Sequence, residues 1–252
     1  MDILTHINER VGYIQINRAE RKNALTSAMY QTMADTLKTY DADDNVRVIL
    51  LHGLNEMFCA GNDLNDFLQN PATGNDSPVV QFLFALRDLQ KPLVIAVNGV
   101  AVGVGVTMLL HADYVVLAED TKLQLPFINL ALCPEAGSSL LLTQRAGYLR
   151  AAEKLMFGEF FTAQEALEMG IASRILPHQE VLRFAQHQAH HLSEKSPQAM
   201  RATKALLKGV NANALRDALD LELLSFGKLL KGADAREALM AFMEKRKPVF
   251  GN

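Results

Sequence analysis

The chain has 252 residues, 49% of them hydrophobic and 21% charged, with a formal net charge of -3. That is enough apolar material for one substantial core, or a core plus a small helical appendage, and it excludes a disordered polypeptide. The slight acidity gives no basic footprint for nucleic acid, and no apolar run approaches the roughly 20 residues of a membrane helix.

From the N-terminus, 3–8 and 11–17 flank Glu9-Arg10 and predict a hairpin. Thr26 can cap a helix whose apolar positions Met29, Met33, Leu37 and Tyr40 recur at near-fourfold spacing. The β-branched run 46–53 predicts a strand, and the polar, proline-containing stretch 69–78 a mobile loop. A helix over 79–89 ends at Lys91-Pro92. Strand 93–97, helix 103–111, strand 113–118 and a short strand 123–125 follow, and this alternation argues for an α/β fold. From Thr162 onward the reading is mostly helical (163–169, 179–194, 197–210, 213–230, 234–245), with only 172–175 extended. Apolar stripes such as Leu215, Leu219, Leu223 and Phe226 demand cover, from an isolated bundle or from neighbouring subunits. Two widely spaced cysteines, Cys59 and Cys133, fit a reduced compartment, and the absence of a charged-then-apolar leader predicts a cytoplasmic protein.

Two segments carry chemistry. Strand 93–97 runs into Asn98-Gly99-Val100-Ala101-Val102-Gly103-Val104-Gly105, a glycine-rich turn opening an apolar helix whose first N–H groups lack intrahelical acceptors. A dinucleotide site competes for this turn, but its third glycine position is Met108 and the helix is short and apolar all round. Some thirty residues on, Pro134-Glu135-Ala136-Gly137-Ser138-Ser139 offers one carboxylate among Leu130, Leu132 and Cys133. Desolvation there raises a carboxyl pKa toward that of a useful base. From this segment alone, an exposed glutamate near the start of a 137–145 helix reads slightly better. Small residues in Phe58-Cys59-Ala60-Gly61-Asn62-Asp63-Leu64 allow a ligand close to the backbone, or simply a tight turn. His187, His190 and His191 have no ligand partner at metal spacing, and Ser138-Ser139 lacks a nucleophile elbow.

Arg21-Lys22-Asn23-Ala24-Leu25, then 58–64, then Lys91-Pro92-Leu93 through Asn98–Gly103, then Phe161-Thr162-Ala163 through Gly170-Ile171-Ala172 together resemble the crotonase (enoyl-CoA hydratase/isomerase) superfamily. The resemblance implies a crotonase-like (ClpP-like) α/β spiral of ββα units over 1–195. It also implies a helical trimerisation region over 196–252 and an acyl-CoA thioester substrate. Carried onto these residues, it assigns the oxyanion hole to the N–H groups of Asn62 and Val104. It lines the acyl-CoA site with Lys22, Ala24, Ala60, Asp63, Leu64, Val100, Gly103, Phe127 and Pro134. The hydratase branch places glutamates where this chain has Thr107 and Phe127. The single-glutamate Δ3,Δ2-enoyl-CoA isomerase branch has its acid at Glu135, and the Pro126-Phe127, 134–139 and Met156-Phe157-Gly158 segments resemble that branch.

The expectation is therefore a metal-free isomerase shifting a 3-enoyl-CoA double bond to the 2-trans position, with Glu135 as base. Coenzyme A enters as part of the substrate and there is no separate cofactor. Nucleic-acid and membrane partners are not expected, and the assembly is a homotrimer or hexamer. A hydratase or other acyl-CoA enzyme on the same scaffold, and a non-catalytic CoA-ester-binding protein, are the alternatives.

Overall fold

A computed structural model of the protein describes residues 1–69 and 74–251. The chain starts with the hairpin β1 (Ile3–Asn8) and β2 (Val11–Ile16), then helix α1 (Ser27–Ala42), whose N-cap Thr26 accepts the Met29 N–H through its side chain. Strands β3 (Val48–His52) and β4 (Met57–Cys59) lead to α2 (Leu64–Gln69) and α3 (Pro78–Asp88). Strands β5 (Leu93–Val97) and β6 (Val100–Val102) lead to α4 (Val104–Thr107), and a 3-10 turn, Met108–His111, completes the helix that the sequence predicts as one piece. Strands β7 (Tyr114–Ala118) and β8 (Lys122–Gln124) lead to α5 (Ser138–Ala146) and α6 (Tyr148–Phe157). Of the loop expected over 69–78, residues 70–73 lie outside the described ones and 69 ends α2.

The β1/β2 hairpin stays in one sheet, but the pairs β3/β4, β5/β6 and β7/β8 each send their two strands to different sheets, which generates a spiral of ββα turns. The first strands join a six-stranded sheet ordered β1-β2-β3-β5-β7-β10, parallel except for the β1/β2 hairpin, with β10 (Arg174–Leu176) at its edge. The second strands form a four-stranded sheet β4-β6-β8-β9, closed by β9 (Phe160–Thr162) antiparallel to β8. Strands β3 and β5 are buried at every residue, as central strands covered on both faces must be. One face, with Val48, Leu50, Val94 and Ala96, packs under α8 (Val181–Ser193) through Val181, Ala185 and Ala189. The alternate residues Ile49, Leu51, Ile95 and Val97 enter the main core with α1, α3 and the second sheet.

The remaining helices are α7 (Ala163–Glu168), α9 (Pro197–Gly209), α10 (Ala212–Leu230) and α11 (Ala233–Met243). A capping box between Thr162 and Glu165 starts α7. The buried Lys204 Nζ anchors α9, donating to the Lys91 carbonyl and to Asp113, both at 2.6 Å. Helix α10 lies back over the spiral, with Leu215 and Leu219 buried and the Phe226 ring edge-on to Phe67 of α2 at 6.2 Å. Among the described residues no helix is long and apolar enough to cross a membrane.

Candidate active site

Strands β4 and β6 run parallel with Cys59 opposite Ala101, so Asn62 and Val104 are each the third residue beyond that pair. The two chain ends approach closely: a Cβ on Gly61, whose φ is +88°, would come within 3.2 Å of the Val102 carbonyl oxygen. The bridge between Leu25 and Asn62 uses the neighbouring amides, with Leu25 N–H donating to Gly61 O and Asp63 N–H to Leu25 O. That leaves the Asn62 N–H without a protein acceptor among the described residues. Val104 opens α4, where Gly103 O takes the N–H groups of Val106 and Thr107, and the Val104 N–H is likewise free. Two unpaired amides thus stand side by side at the ends of adjacent parallel strands. Free main-chain amides of this kind are the donors a developing oxyanion takes up.

Glu135 lies in the loop between the 3-10 turn Ile128–Leu130 and α5, and is itself half-buried. Its Oε1 accepts a 2.5 Å hydrogen bond from the Thr107 hydroxyl at the end of α4, which brings the carboxylate to the helix that Val104 begins. Burial pushes the Glu135 carboxyl up to about 7; the Thr107 bond pulls it partly back and the Glu222 charge adds to the rise. A carboxyl titrating near neutrality exchanges protons readily at working pH. The exposed cap-region alternative does not describe this residue, because it is half-buried with its carboxylate bonded to Thr107.

The Tyr30 side chain, buried on α1, holds the Asn62 side chain. Its hydroxyl donates to Asn62 Oδ1 and lies within electrostatic reach of Glu135, and burial raises its pKa well above the usual value. Asn23 fixes the other edge. Fully buried, it donates through Nδ2 to the carbonyls of Ile16, Met57 and Phe58 and accepts the Arg18 N–H. This locks Lys22 and Asn23 in left-handed conformations against β4, and Lys22 O accepts the Ala60 N–H at 3.2 Å. The Lys22 side chain is exposed; Ala24, two residues on, and Ala60, bonded to the Lys22 carbonyl, are both half-buried. Asp63 is committed elsewhere. It pairs with Arg18 at 2.8 Å and accepts the Asn65 and Asp66 N–H groups, and although partial burial opposes the change, these partners hold its carboxyl below the usual range. Leu64 begins α2, Val100 lies in β6, and both are half-buried. Gly103, at φ +55° and ψ -116°, caps α4 with open space where a Cβ would stand. Phe127 is buried and its carbonyl accepts the Leu132 N–H, setting the turn that presents half-buried Pro134 and Glu135.

Sequence reasoning missed three residues here: Tyr30, which reads as a helix-stripe core residue, His111 and Glu222. Burial, the nearby Lys208 charge and other cations push His111 down to about 3, so its imidazole is neutral and Nε2–H donates to Ala136 O at 2.7 Å. Glu222, on α10, accepts the N–H groups of Gly137 and Ser139. Neither pairing leaves a local signal in the sequence. Among the described residues, no cluster of three His, Cys, Asp or Glu side chains is placed to hold a metal ion.

The sequence model of one family, enoyl-CoA hydratase/isomerase, matches residues 6–252. The chain is 34% identical over 256 residues to the 1,2-epoxyphenylacetyl-CoA isomerase of Escherichia coli strain K12, covering 98% of this chain and 97% of that one. It is 32% identical to the 2,3-dehydroadipyl-CoA hydratase of the same organism, covering 99% and 98%. Among solved structures, an enoyl-CoA hydratase/isomerase from Pseudoalteromonas atlantica T6c superposes with a TM-score of 0.95 at 35% identity, each chain covered completely. Pseudomonas aeruginosa OdaA superposes with a TM-score of 0.93 at 40% identity, over 96% of this chain and 98% of that one. The crotonase-like spiral is therefore the fold of this chain.

Proposed function

Because the chain belongs to the enoyl-CoA hydratase/isomerase family, we propose that it moves the double bond of a 3-enoyl-CoA to the 2-trans position using one acid–base group. Glu135 takes the C2 proton. The electrons pass into the thioester carbonyl, and the dienolate oxygen sits between the Asn62 and Val104 N–H groups. Glu135 then returns the proton to C4 as the 2,3 double bond forms and the carbonyl is restored. Atoms and charge balance without a metal or a separate cofactor, since coenzyme A arrives with the substrate. The observation that carries this reading is the carboxyl pushed up to about 7 beside the helix that opens with a free amide. Lys22, exposed beside Ala60, suits the CoA phosphates. Ala24, Ala60, Asp63, Leu64, Val100, Gly103, Phe127 and Pro134 form the proposed walls, with Asp63 acting through its fold contacts.

A hydratase reading has the name of the E. coli dehydroadipyl-CoA relative in its favour. Water addition ordinarily recruits a second carboxylate. Here Thr107 and Phe127 occupy the two places that the resemblance assigns to the hydratase glutamates, and Glu222 is turned to main-chain amides. Exposed Leu206 and Leu207 on α9, Val210 just beyond it, and Leu221 and Leu224 on α10 support association with further copies, proposed as a homotrimer or hexamer. Replacing Glu135 by Gln tests the central role: isomerisation of a 3-enoyl-CoA is expected to fall about 10²–10⁴-fold. Wild-type turnover by that variant, or water addition to a 2-enoyl-CoA outrunning isomerisation in the native enzyme, overturns the proposal.

A further inference from the structure

Three main-chain groups and one hydroxyl, on the residues from Ala136 to the start of α5, are held from two sides. Ala136 and Gly137 both take left-handed conformations, φ 61° and 71°, an unfavourable choice for alanine. His111 secures the Ala136 carbonyl from beneath. From above, Glu222 reaches out of α10 and accepts the Gly137 N–H at 2.6 Å, the Ser139 N–H at 2.9 Å and the Ser139 hydroxyl at 2.5 Å. Its side chain is almost fully buried, with relative exposure of 7%. A carboxylate withdrawn from water is tolerated only when such donors replace its hydration. Leu215, one helical stretch earlier, stands so close to Gly137 that a Cβ there would come within 2.4 Å of it.

From these contacts we infer that Glu222 is a positioning residue for Glu135, and that α10 supplies it to the site of its own subunit. The inference rests on Glu135 being the working base. Two features separate it from a simple helix cap. First, the clamp falls on the residues immediately after the base, so its loss releases the strained 136–137 turn and with it the aim of the carboxylate. Second, the same helix reaches the other half of the site through the Phe226–Phe67 contact, next to the segment bearing Asn62. Helix α10 therefore ties both halves together.

The Thr107 hydroxyl from α4 bonds the Glu135 carboxyl, and Tyr30 from α1, Cys133 from its own loop and Glu222 from α10 interact with it electrostatically. Of these, Glu222 carries the negative charge. Glu222→Gln keeps the shape and removes that charge, while Glu222→Asp keeps the charge and shortens the reach. With a 3-enoyl-CoA, both variants are expected to lose at least tenfold in kcat with KM within threefold. Only Glu222→Gln is expected to move the acid limb of the pH–rate profile to lower pH. A titration of the Glu135 carboxyl by carbon-13 NMR, assigned with Glu135→Gln, follows the same group without turnover. It is expected to show the same downward shift in Glu222→Gln and not in Glu222→Asp. An unmoved titration in Glu222→Gln, or kcat within twofold of native in both variants, overturns the inference. Were the native enzyme inactive on 3-enoyl-CoA, the functional reading would fail, yet the NMR titration would still decide whether Glu222 acts on Glu135.

Discussion

Glu135 combines a desolvated carboxyl with one short hydrogen bond, and those two influences oppose each other. Burial and the Glu222 charge raise its pKa while Thr107 lowers it, leaving a value of about 7. A base must be ionised, so kcat/KM for isomerisation is expected to rise with pH through about 7 and level off above it. Removing the hydroxyl in Thr107→Val takes away the lowering influence, and the acid limb is expected to move to higher pH. A limb that stays in place, or moves down, would show that the hydroxyl does not support the ionised form. The same shift bears on stability. Because the folded state binds the Glu135 proton more tightly than the unfolded chain, its contribution is fully present below about 4.5 and is lost as pH rises through about 7. At pH 8 Glu135→Gln is therefore expected to be more stable than native by about 1–2 kcal/mol, below the full shift because the group is half-buried. Urea unfolding at pH 8 and at pH 4 measures it, and the gain should vanish at the lower pH.

At the scale of elements, the site is built from the ends of short strands. The free Val104 amide is the first of α4, a position where proline fits the helix backbone and removes the N–H, at the cost of also replacing a side chain buried in the core. Val104→Pro is expected to lose about 3–4 kcal/mol of transition-state stabilisation with the fold retained, seen as a fall in kcat/KM at unchanged circular dichroism. The sequence made much of this region legible: the Thr26 cap, strand 93–97 and the long C-terminal helices stand within a few residues of where periodicity and capping put them. It did not reveal β6 or β9, of three residues each, because alternation cannot register over so short a run and their pairing partners lie far along the chain. Nor did it assign α6, between two glycines. Glu135 was visible through its apolar neighbours and the resemblance, whereas Glu222 was not. Its partners are 83 and 85 residues away, and one glutamate on an amphipathic helix reads as a solvated face.

Across the whole molecule, the spiral brings four distant segments to one place: the Asn23 turn, the Asn62 end of β4, the Val104 end of β6 and the Glu135 loop. The C-terminal helices then lie over it and leave apolar side chains on α9, α10 and α11 facing outward, among them Leu207, Leu224 and Phe242. Surfaces of that kind associate. Sedimentation equilibrium is expected to give three or six copies per particle, and a concentration-independent monomer would contradict the assembly. The deepest commitment is that one carboxylate both removes and returns the proton. Turnover of a 3-enoyl-CoA carrying deuterium at C2, run in ordinary water and followed by NMR of the product, tests it most directly. The account predicts measurable deuterium delivered to C4, absent with Glu135→Gln. Product from the native enzyme with no deuterium at C4 would contradict it, because the C4 proton would then come from a second acid or from bulk water.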